Sequence, residues 1–388
     1  MKKVLLIATV QSHLCQFHIP KIRMLQKYGC EVHVAGLDNL SERGLTLDIA
    51  DTRFNVPFAR SPFRKTNITA YRSLINIIRD NHYDMICCHT PMGGIIGRFA
   101  AINTRRNGTY VLYTAHGFHF YKGAPIWNWL LYYPIEKYMA KLTDCLVTIN
   151  EEDYTSALDG GFKTRIAHIH GMGVNTTKFK PVSQNEKNMM REKKGYHCDA
   201  FLILCVGELN KNKNQSTIIR AMQKVIKNNS RAKLLLAGIG AYKSSLLRLI
   251  DDIGLAEYIE FLGYRTDLEY YVNICDVVTS ASIREGLGLT LLEGMVCEKP
   301  IVASQNRGHC ELVRHQENGF LVDQFSSEGF ADALIYLHDH PDKARALGQY
   351  GAKLVEPYKE ENVLKALLTI YRDLGLVKTT PIDTLQRV

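Results

Sequence analysis

Short apolar runs rich in β-branched residues alternate along the chain with longer segments whose apolar positions recur at helical spacing. This alternation is typical of βα units around parallel sheets, so it predicts the α/β class. In the first half, strands are predicted at residues 4–10, 31–36, 85–89, 110–115 and 145–149. In the second half, strands are predicted at 201–207, 233–238, 259–262, 277–280, 300–304 and 320–322.

A chain of 388 residues is too long for one compact core, because cores stop growing near roughly 250 residues. We therefore expect two domains with a cleft between them. The polar, lysine-rich passage at 180–198 separates the two strand series, which gives an N-terminal domain at 1–180 and a C-terminal domain at 181–360. The last helical pattern, at 361–376, is predicted to cross back to the first domain, and 377–388 is predicted to be a loose tail.

The composition predicts a globular protein without a membrane-spanning helix. Hydrophobic residues make up 46% and charged residues 22% of the chain, which is typical of a globular protein. The longest apolar runs are far shorter than the ~20 residues of a membrane helix. The start passes from two lysines into a strand without a signal-peptide cleavage site, which favours the cytoplasm. The ten cysteines form no C-x-x-C pair and are expected to be reduced.

The positive charge is concentrated in the first half. Residues 1–180 contain 22 Lys and Arg against 13 Asp and Glu, whereas the remainder contains 26 of each. This asymmetry favours an anionic partner for the first domain, either nucleic acid, a phosphate-bearing ligand or an acidic membrane surface. A solvated basic face without any partner is the alternative.

The segment "EGLGLTLLEGM" at 285–295 holds two carboxylates eight positions apart. Glu285 lies in a glycine-rich loop after a predicted strand, and a helix is predicted to begin near Thr290. Glycines before a helix let backbone N–H groups approach an anion, so this segment is a candidate phosphate cradle. Glu293 has an alternative role, because Thr290 and Glu293 have the spacing of a capping box.

Carboxylates accept hydrogen bonds from paired sugar hydroxyls. A phosphate at the helix start with a hydroxylated ring on each side describes a nucleotide-sugar. The segment "EGLGLTLLEGMVCEKPIVAS" resembles the E-x7-E signature of the family 4 glycosyltransferases, retaining enzymes of the GT-B architecture with two facing Rossmann-like domains. Further segments, including "YTAHGFHFYKGAP" at 113–125 and "VGELNKNKN" at 206–214, resemble the EpsD-like branch that builds bacterial exopolysaccharide and capsule.

The resemblance implies roles for the residues of the signature. Glu285 would contact the hydroxyls of the donor sugar, and Glu293 would contact the ribose of the nucleotide. The diphosphate would be bound by the backbone amides of Gly286, Leu287, Gly288, Leu289 and Thr290.

"VGELNKNKN" presents two lysines after a predicted strand, where an ammonium could neutralise charge on a departing diphosphate. Gly207 precedes the loop, Lys213 matches the phosphate lysine of the family, and Lys211 is a second candidate. Many relatives have arginine directly after the glycine, whereas this chain has Glu208. A solvated loop charge is the alternative role of either lysine.

His116 ends an apolar strand before a glycine, and the resemblance implies that it touches the donor sugar or assists near the anomeric centre. A structural histidine is the alternative. His89, Gly93 and Gly94 are placed in a similar way and are assigned to acceptor binding or, equally, to loop geometry.

Three further residues are predicted near the nucleotide. Gly238 begins the loop "GIGAY", which lacks the third glycine and the acidic residue of a dinucleotide fingerprint, so nicotinamide chemistry is discounted. The resemblance places Tyr264 and Arg265 near the base.

No Asp-x-Asp pair occurs and no His, Cys and Asp residues have metal-ligand spacing, which favours transfer without a metal cofactor. The segment 118–138 contains both tryptophans together with Lys122 and Lys137, a composition that suits the headgroup layer of a membrane. An amphipathic core helix is the alternative for this segment.

The hypothesis is a cytoplasmic enzyme, peripheral on the inner membrane surface, that transfers a hexose or N-acetylhexosamine with retention of configuration. The expected donor is a UDP-sugar and the expected acceptor is a polyprenyl-diphosphate-linked saccharide. A sugar-nucleotide epimerase of GT-B fold and a non-catalytic scaffold subunit of a polysaccharide-synthesis complex are the rivals. Nucleic-acid binding is discounted, because the aromatic cluster lies in a predicted helix rather than across strands.

Overall fold

The computed structural model describes residues 1–377, and the chain divides into two compact units. Among the described residues, the first unit contains 1–173 and 360–377, and the second contains Val174–Lys359. The second unit thus begins seven residues before the predicted boundary. The Val174 N–H donates to the Tyr358 carbonyl at 2.9 Å, which joins the two ends of this unit. The predicted tail at 377–388 lies outside the described residues, except for Val377.

Seven strands form the sheet of the first unit: β1 (Lys2–Val10), β2 (Cys30–Leu37), β3 (Thr52–Asn55), β4 (Met85–His89), β5 (Tyr110–Ala115), β6 (Cys145–Thr148) and β7 (Arg165–His168). All are parallel, in the order β3-β2-β1-β4-β5-β6-β7. The helices of this unit are α1 (Gln11–Phe17), α2 (Ile19–Lys27), α3 (Thr66–Asn81), α4 (Pro91–Ala100), α5 (Ile102–Arg106), α6 (Ile126–Ala140) and α7 (Glu151–Asp159).

The central strands are buried on both faces, which is why the sequence shows them as unbroken apolar runs. In β1, the four residues from Val4 to Ile7 have no exposed surface. Leu6 pairs with Val34 of β2 on one side and with Cys87 of β4 on the other. The strands β3 and β7 were not predicted. They are four-residue edge strands with partly exposed side chains, so they lack the apolar run that marks the central strands.

The second unit contains six parallel strands: β8 (Phe201–Val206), β9 (Ala232–Ala237), β10 (Ile259–Gly263), β11 (Val277–Ser280), β12 (Ile301–Ser304) and β13 (Gly319–Val322). Their order is β10-β9-β8-β11-β12-β13. The helices are α8 (Gln184–Lys193), α9 (Gln215–Asn228), α10 (Lys243–Asp252), α11 (Leu268–Ile274), α12 (Leu289–Val296), α13 (Arg307–Leu312), α14 (Ser327–Asp339) and α15 (Pro341–Leu354). The two parallel sheets confirm the predicted α/β class with two Rossmann-like domains.

The last described helix, α16 (Glu360–Asp373), packs on the first unit. Tyr371 is fully buried there. The Arg372 guanidinium donates to the Tyr28 hydroxyl at 3.3 Å, and Asp373 pairs with Arg165 at 2.6 Å. The chain thus enters the second unit at Val174 and returns to the first unit at Glu360.

Each sheet has one point at which the strand order reverses. This point lies between β1 and β4 in the first unit and between β8 and β11 in the second. In open parallel sheets, ligands bind beyond the carboxyl ends of the strands at such switch points. The loops after these four strands are therefore the places where functional side chains are expected.

Candidate active site

An ion pair between Lys213 and Glu285 lies at the switch point of the second unit. Lys213 follows β8 and Glu285 follows β11, and these two strands are neighbours. The Lys213 Nζ atom lies 2.5 Å from the Glu285 Oε1 atom, with 28% and 17% of the two side chains exposed. The structure thus brings together the two residues of this unit that were predicted to be catalytic, at a point where ligand binding is expected.

Hydrogen bonds from Asn212 hold the two loops together. The Asn212 side-chain amide donates to the Arg284 carbonyl at 3.0 Å, and the Ile283 N–H donates to the Asn212 carbonyl at 2.7 Å. The Lys213 N–H donates to the Asn210 side chain at 2.9 Å. These hydrogen bonds join the loop after β8 to the loop after β11 on either side of the ion pair.

Two glycines allow the chain to approach Lys213 closely. A Cβ atom on Gly207 would lie 3.1 Å from the Lys213 Cδ and Cε atoms. A Cβ atom on Gly238, at the end of β9, would lie 2.0 Å from the Gly207 carbonyl oxygen. Gly238 also has a φ of 148°, which L side chains rarely adopt. The absence of a side chain at Gly207 therefore leaves room for the Lys213 side chain, and the absence of one at Gly238 leaves room for the backbone of Gly207.

Burial disfavours the charged forms of Glu285 and Lys213, but their mutual attraction outweighs it. Desolvation opposes ionisation of the carboxyl, yet Lys213 holds the pKa of Glu285 below its usual range. Desolvation also opposes the ammonium, yet Glu285 holds the pKa of Lys213 above its usual range. Both groups are therefore charged at neutral pH.

The predicted phosphate cradle covers the loop before α12 and the first turn of that helix. The helix begins at Leu289, directly after Gly288, whose φ is 120°. The first N–H groups of a helix have no partner within the helix and carry partial positive charge. The short helix α13 packs against this loop, because a Cβ atom on Gly308 would lie 2.8 Å from the backbone of Leu287. The Arg307 guanidinium also donates to the Glu285 carbonyl at 3.3 Å.

Glu293 does not form a capping box. Because α12 begins at Leu289, Glu293 is the fifth residue of the helix, and no side chain caps the helix start. Its side chain is partly buried. Desolvation raises the pKa of Glu293 to about 8, although the charge of Lys178 opposes the rise. The carboxyl group is therefore mostly protonated at neutral pH.

Three other residues predicted near the nucleotide differ in their surroundings. Lys211 is exposed in the loop after β8. Tyr264 and Arg265 are partly buried after β10, and the Arg265 Nε atom donates to Asp267 at 2.7 Å. The Arg265 guanidinium also lies 5.0 Å from the centre of the Tyr271 ring. Arg265 is therefore already engaged by its own neighbours.

In the first unit, Gly93 and Gly94 are buried in the first turn of α4. A Cβ atom on Gly93 would lie 3.0 Å from the Ala8 Cα atom, and a Cβ atom on Gly94 would lie 2.5 Å from the Tyr113 ring. Close packing of α4 on the sheet accounts for both glycines. Contact with an acceptor stays a prediction for them and for His89, which is fully buried.

His116 belongs to a histidine cluster, which comprises His13, His18, His89 and His116. The ring centres of His18 and His89 are 3.9 Å apart, and those of His13 and His116 are 4.8 Å apart. His89 is the last residue of β4 and His116 directly follows β5, whereas His13 lies in α1 and His18 lies between α1 and α2. Sequence reasoning missed His13 and His18, because the cluster is assembled by the sheet and has no local spacing.

Burial holds the histidine cluster neutral. Desolvation lowers the pKa of His13 to about 4. It also lowers the pKa values of His18, His89 and His116 well below the usual range, with further lowering from Lys21. Lys21 is itself buried, and its Nζ atom lies 3.1 Å from the His89 Nε2 atom.

The helix α6 carries apolar side chains on all sides. One side packs on the core of the first unit through Trp129, Tyr132 and Tyr133. The opposite side is exposed, and its residues with more than half of their surface accessible are Ile126, Trp127, Leu130, Leu131 and Tyr138. The helix is therefore not the amphipathic core helix considered as an alternative. Among residues 1–377, no helix is both long and apolar enough to cross a membrane.

Solved structures with the same architecture identify the class. HepE of Anabaena, solved with UDP and glucose, superposes with a TM-score of 0.79 at 19% identity, covering 96% of this chain and 100% of that one. Sucrose-phosphate synthase from Thermosynechococcus elongatus also gives a TM-score of 0.79 at 19% identity, covering 97% and 99% of the two chains. These likenesses place the fold in the GT-B class of two Rossmann-like domains.

Sequence comparisons identify the family. Residues 186–354 match the model "Glycosyl transferases group 1", and residues 3–150 match "Glycosyl transferase 4-like". The putative glycosyltransferase EpsD of Bacillus subtilis is 43% identical over 375 residues, covering 95% of this chain and 96% of that one. A UDP-Gal:α-D-GlcNAc-diphosphoundecaprenol α-1,3-galactosyltransferase of Escherichia coli is 28% identical over 273 residues, 69% of each chain. The chain belongs to the family 4 GT-B glycosyltransferases, in the EpsD-like branch.

Proposed function

We propose that this glycosyltransferase transfers a hexose or N-acetylhexosamine from a UDP-sugar to a lipid-linked saccharide, with retention of configuration. We further propose that it acts in exopolysaccharide or capsule synthesis. The Escherichia coli relative, whose name gives a UDP-sugar donor and a diphosphoundecaprenol acceptor, supports the substrate classes. The likeness to EpsD supports the role in exopolysaccharide synthesis.

The observation that carries the proposal is the ion pair between Lys213 and Glu285 beside the start of α12. A carboxylate, an ammonium and a helix N-terminus at one switch point match the two parts of a sugar diphosphate. The carboxylate suits sugar hydroxyls, and the ammonium and backbone amides suit phosphate oxygens.

In the proposed mechanism, Glu285 accepts hydrogen bonds from the donor-sugar hydroxyls while Lys213 turns to the diphosphate. As the bond between the sugar and the diphosphate breaks, Lys213 and the amides of residues 286–290 stabilise the negative charge of the leaving group. The acceptor hydroxyl attacks from the face that the diphosphate leaves, and a diphosphate oxygen takes its proton. Attack on this face retains the anomeric configuration. Glu293 binds the ribose, and His116 is proposed to assist the transfer.

We propose that transfer needs no divalent cation at the diphosphate, because Lys213 and the helix N-terminus supply positive charge there. Glu208 occupies the place where many relatives have arginine, and it is exposed. Its negative charge favours the protonated form of Lys213, although its contribution is smaller than that of Glu285. The glutamate at this place therefore helps Lys213 to keep its positive charge.

We propose that the first unit docks on the cytoplasmic face of the cell membrane through α6. A surface helix with apolar side chains all round has an unpartnered apolar side in water. Tryptophan and tyrosine suit the interface between headgroups and acyl chains, and the lysines Lys137 and Lys141 suit anionic headgroups. The net positive charge of residues 1–180 acts in the same direction.

A donor-depletion assay tests the proposed function. The purified protein is incubated with a panel of UDP- and GDP-sugars, with and without a bacterial lipid extract and in excess EDTA. The proposal expects one UDP-sugar to be consumed only when lipid is present, with the sugar recovered on lipid in the α configuration. Conversion of a donor without lipid would indicate an epimerase, and UDP binding without turnover on any extract would indicate a scaffold subunit.

A further inference from the structure

Three histidines of the cluster present ring nitrogens to one another. One nitrogen from each of His13, His18 and His116 can be chosen so that all three lie within 4.8 Å of one another. The residues come from α1, from the junction of α1 and α2, and from the end of β5. They therefore meet at the carboxyl edge of the sheet, beside the switch point of the first unit.

Two of the three histidines, His13 and His18, have buried ring nitrogens without partners in residues 1–377. His18 is fully buried, and neither its Nδ1 nor its Nε2 atom has a hydrogen-bond partner in residues 1–377. The His13 Nε2 atom is also buried and unpartnered in the same part of the chain. Buried polar atoms are ordinarily paired, and a neutral imidazole has one lone pair, so the unpartnered rings of His13 and His18 call for a ligand that accepts one lone pair from each.

We propose that His13, His18 and His116 bind a divalent transition metal of the zinc class. Imidazole nitrogen is a preferred ligand of Zn²⁺, Co²⁺ and Ni²⁺, and three histidines with one open position form a known zinc arrangement. In a tetrahedral site, ligand nitrogens are separated by roughly 3.4 Å, as follows from zinc–nitrogen distances of about 2.0–2.1 Å. Small rotations of the rings would bring the three nitrogens from separations of up to 4.8 Å to this tetrahedral spacing. His13 and His116 are partly exposed, so the site has an entry path.

His89 is assigned an orienting role rather than a place among the ligands. Its Nδ1 atom lies 3.4 Å from the His116 Nε2 atom, and its Nε2 atom lies 3.1 Å from Lys21. Histidines that bind metals are ordinarily held by a partner on the other ring nitrogen. In that arrangement the His116 Nε2–H donates to the His89 Nδ1 atom, and the His89 Nε2–H donates to Lys21 as a neutral amine. Burial lowers the pKa of Lys21, which favours this neutral form.

One consequence rests on the proposed function. If His116 assists near the donor sugar, a metal bound to its ring removes it from that role, so Zn²⁺ inhibits transfer and a chelator restores it. This site lies in the first unit, whereas the proposed diphosphate site lies in the second. Metal binding here and metal-free handling of the diphosphate are therefore compatible, and metal binding is measured without any donor or acceptor.

The test is a titration of the tag-free protein with Co²⁺, followed by visible absorption and by calorimetry. The expected result is one equivalent of cobalt with the intense visible bands of a tetrahedral site, displaced by Zn²⁺. His13→Ala should lower the cobalt affinity at least tenfold, whereas His13→Cys should retain binding and add a thiolate-to-cobalt charge-transfer band. His13→Gln serves as a second variant if His13→Ala does not fold.

Two matched controls separate this site from adventitious binding. His197, in the second unit, has a side chain that is 65% exposed, and His197→Ala should leave the titration unchanged. Cys310 is the one exposed cysteine of the ten, and Cys310→Ser should also leave it unchanged. Cobalt binding that survives His13→Ala overturns the proposal. Absence of cobalt binding by the unchanged protein also overturns it. If the unchanged protein binds inorganic diphosphate in EDTA and His13→Ala abolishes that binding, the cluster is an anion site and the proposal is wrong.

Discussion

The Lys213 Nζ atom and the Glu285 Oε1 atom lie 2.5 Å apart, although 72 positions separate the two residues in the chain. They meet because β8 and β11 are neighbours in the sheet, and because Asn212 ties the two following loops together. The charge of each side chain offsets the effect of desolvation on the pKa of the other. A change at either residue therefore alters the electrostatic environment of its partner.

Glu285→Ala should abolish sugar transfer while UDP binding persists. In the proposed mechanism the carboxylate contacts the donor sugar and not the uridine diphosphate, so its loss removes stabilisation of the reacting sugar. We expect transfer to fall by about 10²–10³-fold, as for removal of one preorganised polar group. UDP affinity from calorimetry should change by less than about threefold. Glu328→Ala is the control, because that side chain is 81% exposed and should leave both quantities unchanged. Normal transfer by Glu285→Ala would remove the basis of the site assignment.

Lys213→Met should make the stability of the second unit depend on pH. Without the ammonium, desolvation is the dominant influence on Glu285, so the pKa of its carboxyl rises above the usual value. An acid with a raised pKa in the folded state loses stability as the pH increases through the range between its unfolded and folded pKa values. The variant should therefore melt roughly 2–5 °C below the unchanged protein at pH 7.5 and recover towards pH 4.5.

The measurement for Lys213→Met is the thermal transition that UDP raises, because that transition belongs to the unit with the proposed nucleotide site. The double variant Lys213→Met, Glu285→Gln is the control, since it removes the titrating carboxyl together with the ammonium. The difference in melting temperature between the double variant and the unchanged protein should vary little between pH 5 and pH 8. A single variant whose melting difference is the same at both ends of the pH range would contradict this explanation.

The sequence was a good guide to the fold because buried parallel strands leave a direct signature. The apolar runs predicted β1, β2, β4 to β6 and all six strands of the second unit to within about two residues. The edge strands β3 and β7 escaped prediction because their sequences, TRFN and RIAH, contain no run of large apolar residues, whereas the edge strands β10 and β13 contain FL and FLV. For the site, glycines and carboxylates after predicted strands marked the loops around Lys213 and Glu285, because the rule for parallel sheets converts strand ends into site positions.

What the sequence did not predict depends on neighbours that are distant in the chain. His13 precedes its partner His116 by about a hundred positions, and only the sheet order brings α1 beside the end of β5. The protonation of Glu293 likewise depends on burial by the surrounding elements, which no local motif encodes. The capping-box alternative for Glu293 failed for a local reason, because Gly288 lets the helix begin one residue before Thr290.

Gly238→Ala should destabilise the second unit severely. The added Cβ atom would stand 2.0 Å from the Gly207 carbonyl oxygen, and the backbone that must move carries the Lys213 loop. Gly254→Ala is the matched control, because Gly254 also has a positive φ, 68°, but a Cβ atom there meets nothing within 4 Å. We expect Gly254→Ala to cost about 1 kcal/mol and Gly238→Ala to cost several times more, with loss of UDP binding. Equal melting temperatures for the two variants would refute the steric argument.

Glu293→Gln should raise stability and weaken nucleotide binding. The raised pKa, about 8, means that the folded state holds the proton more tightly than the unfolded state does. Stability of the unchanged protein should therefore fall as the pH rises from about 4.5 to about 8, whereas the variant avoids this loss. Melting curves should show the variant more stable at pH 8 and equal at pH 4.5. If Glu293 binds ribose, UDP affinity falls at the same time, while affinity for inorganic diphosphate is kept.

Trp127→Glu and Leu131→Glu should release the protein from anionic membranes. Both side chains lie on the exposed side of α6, at 75% and 55% exposure, and a carboxylate there opposes entry into the headgroup layer. Vesicle co-sedimentation should show binding of the unchanged protein to phosphatidylglycerol vesicles, weakened by salt because basic residues contribute. Met189→Glu is the matched control, because Met189 is 61% exposed but lies in the second unit. If the α6 variants and the Met189 variant bind vesicles equally, the exposed apolar side of α6 has some purpose other than membrane docking. If only the α6 variants dissociate and transfer to lipid acceptors falls while UDP binding is unchanged, the helix serves to bring the enzyme to its acceptor.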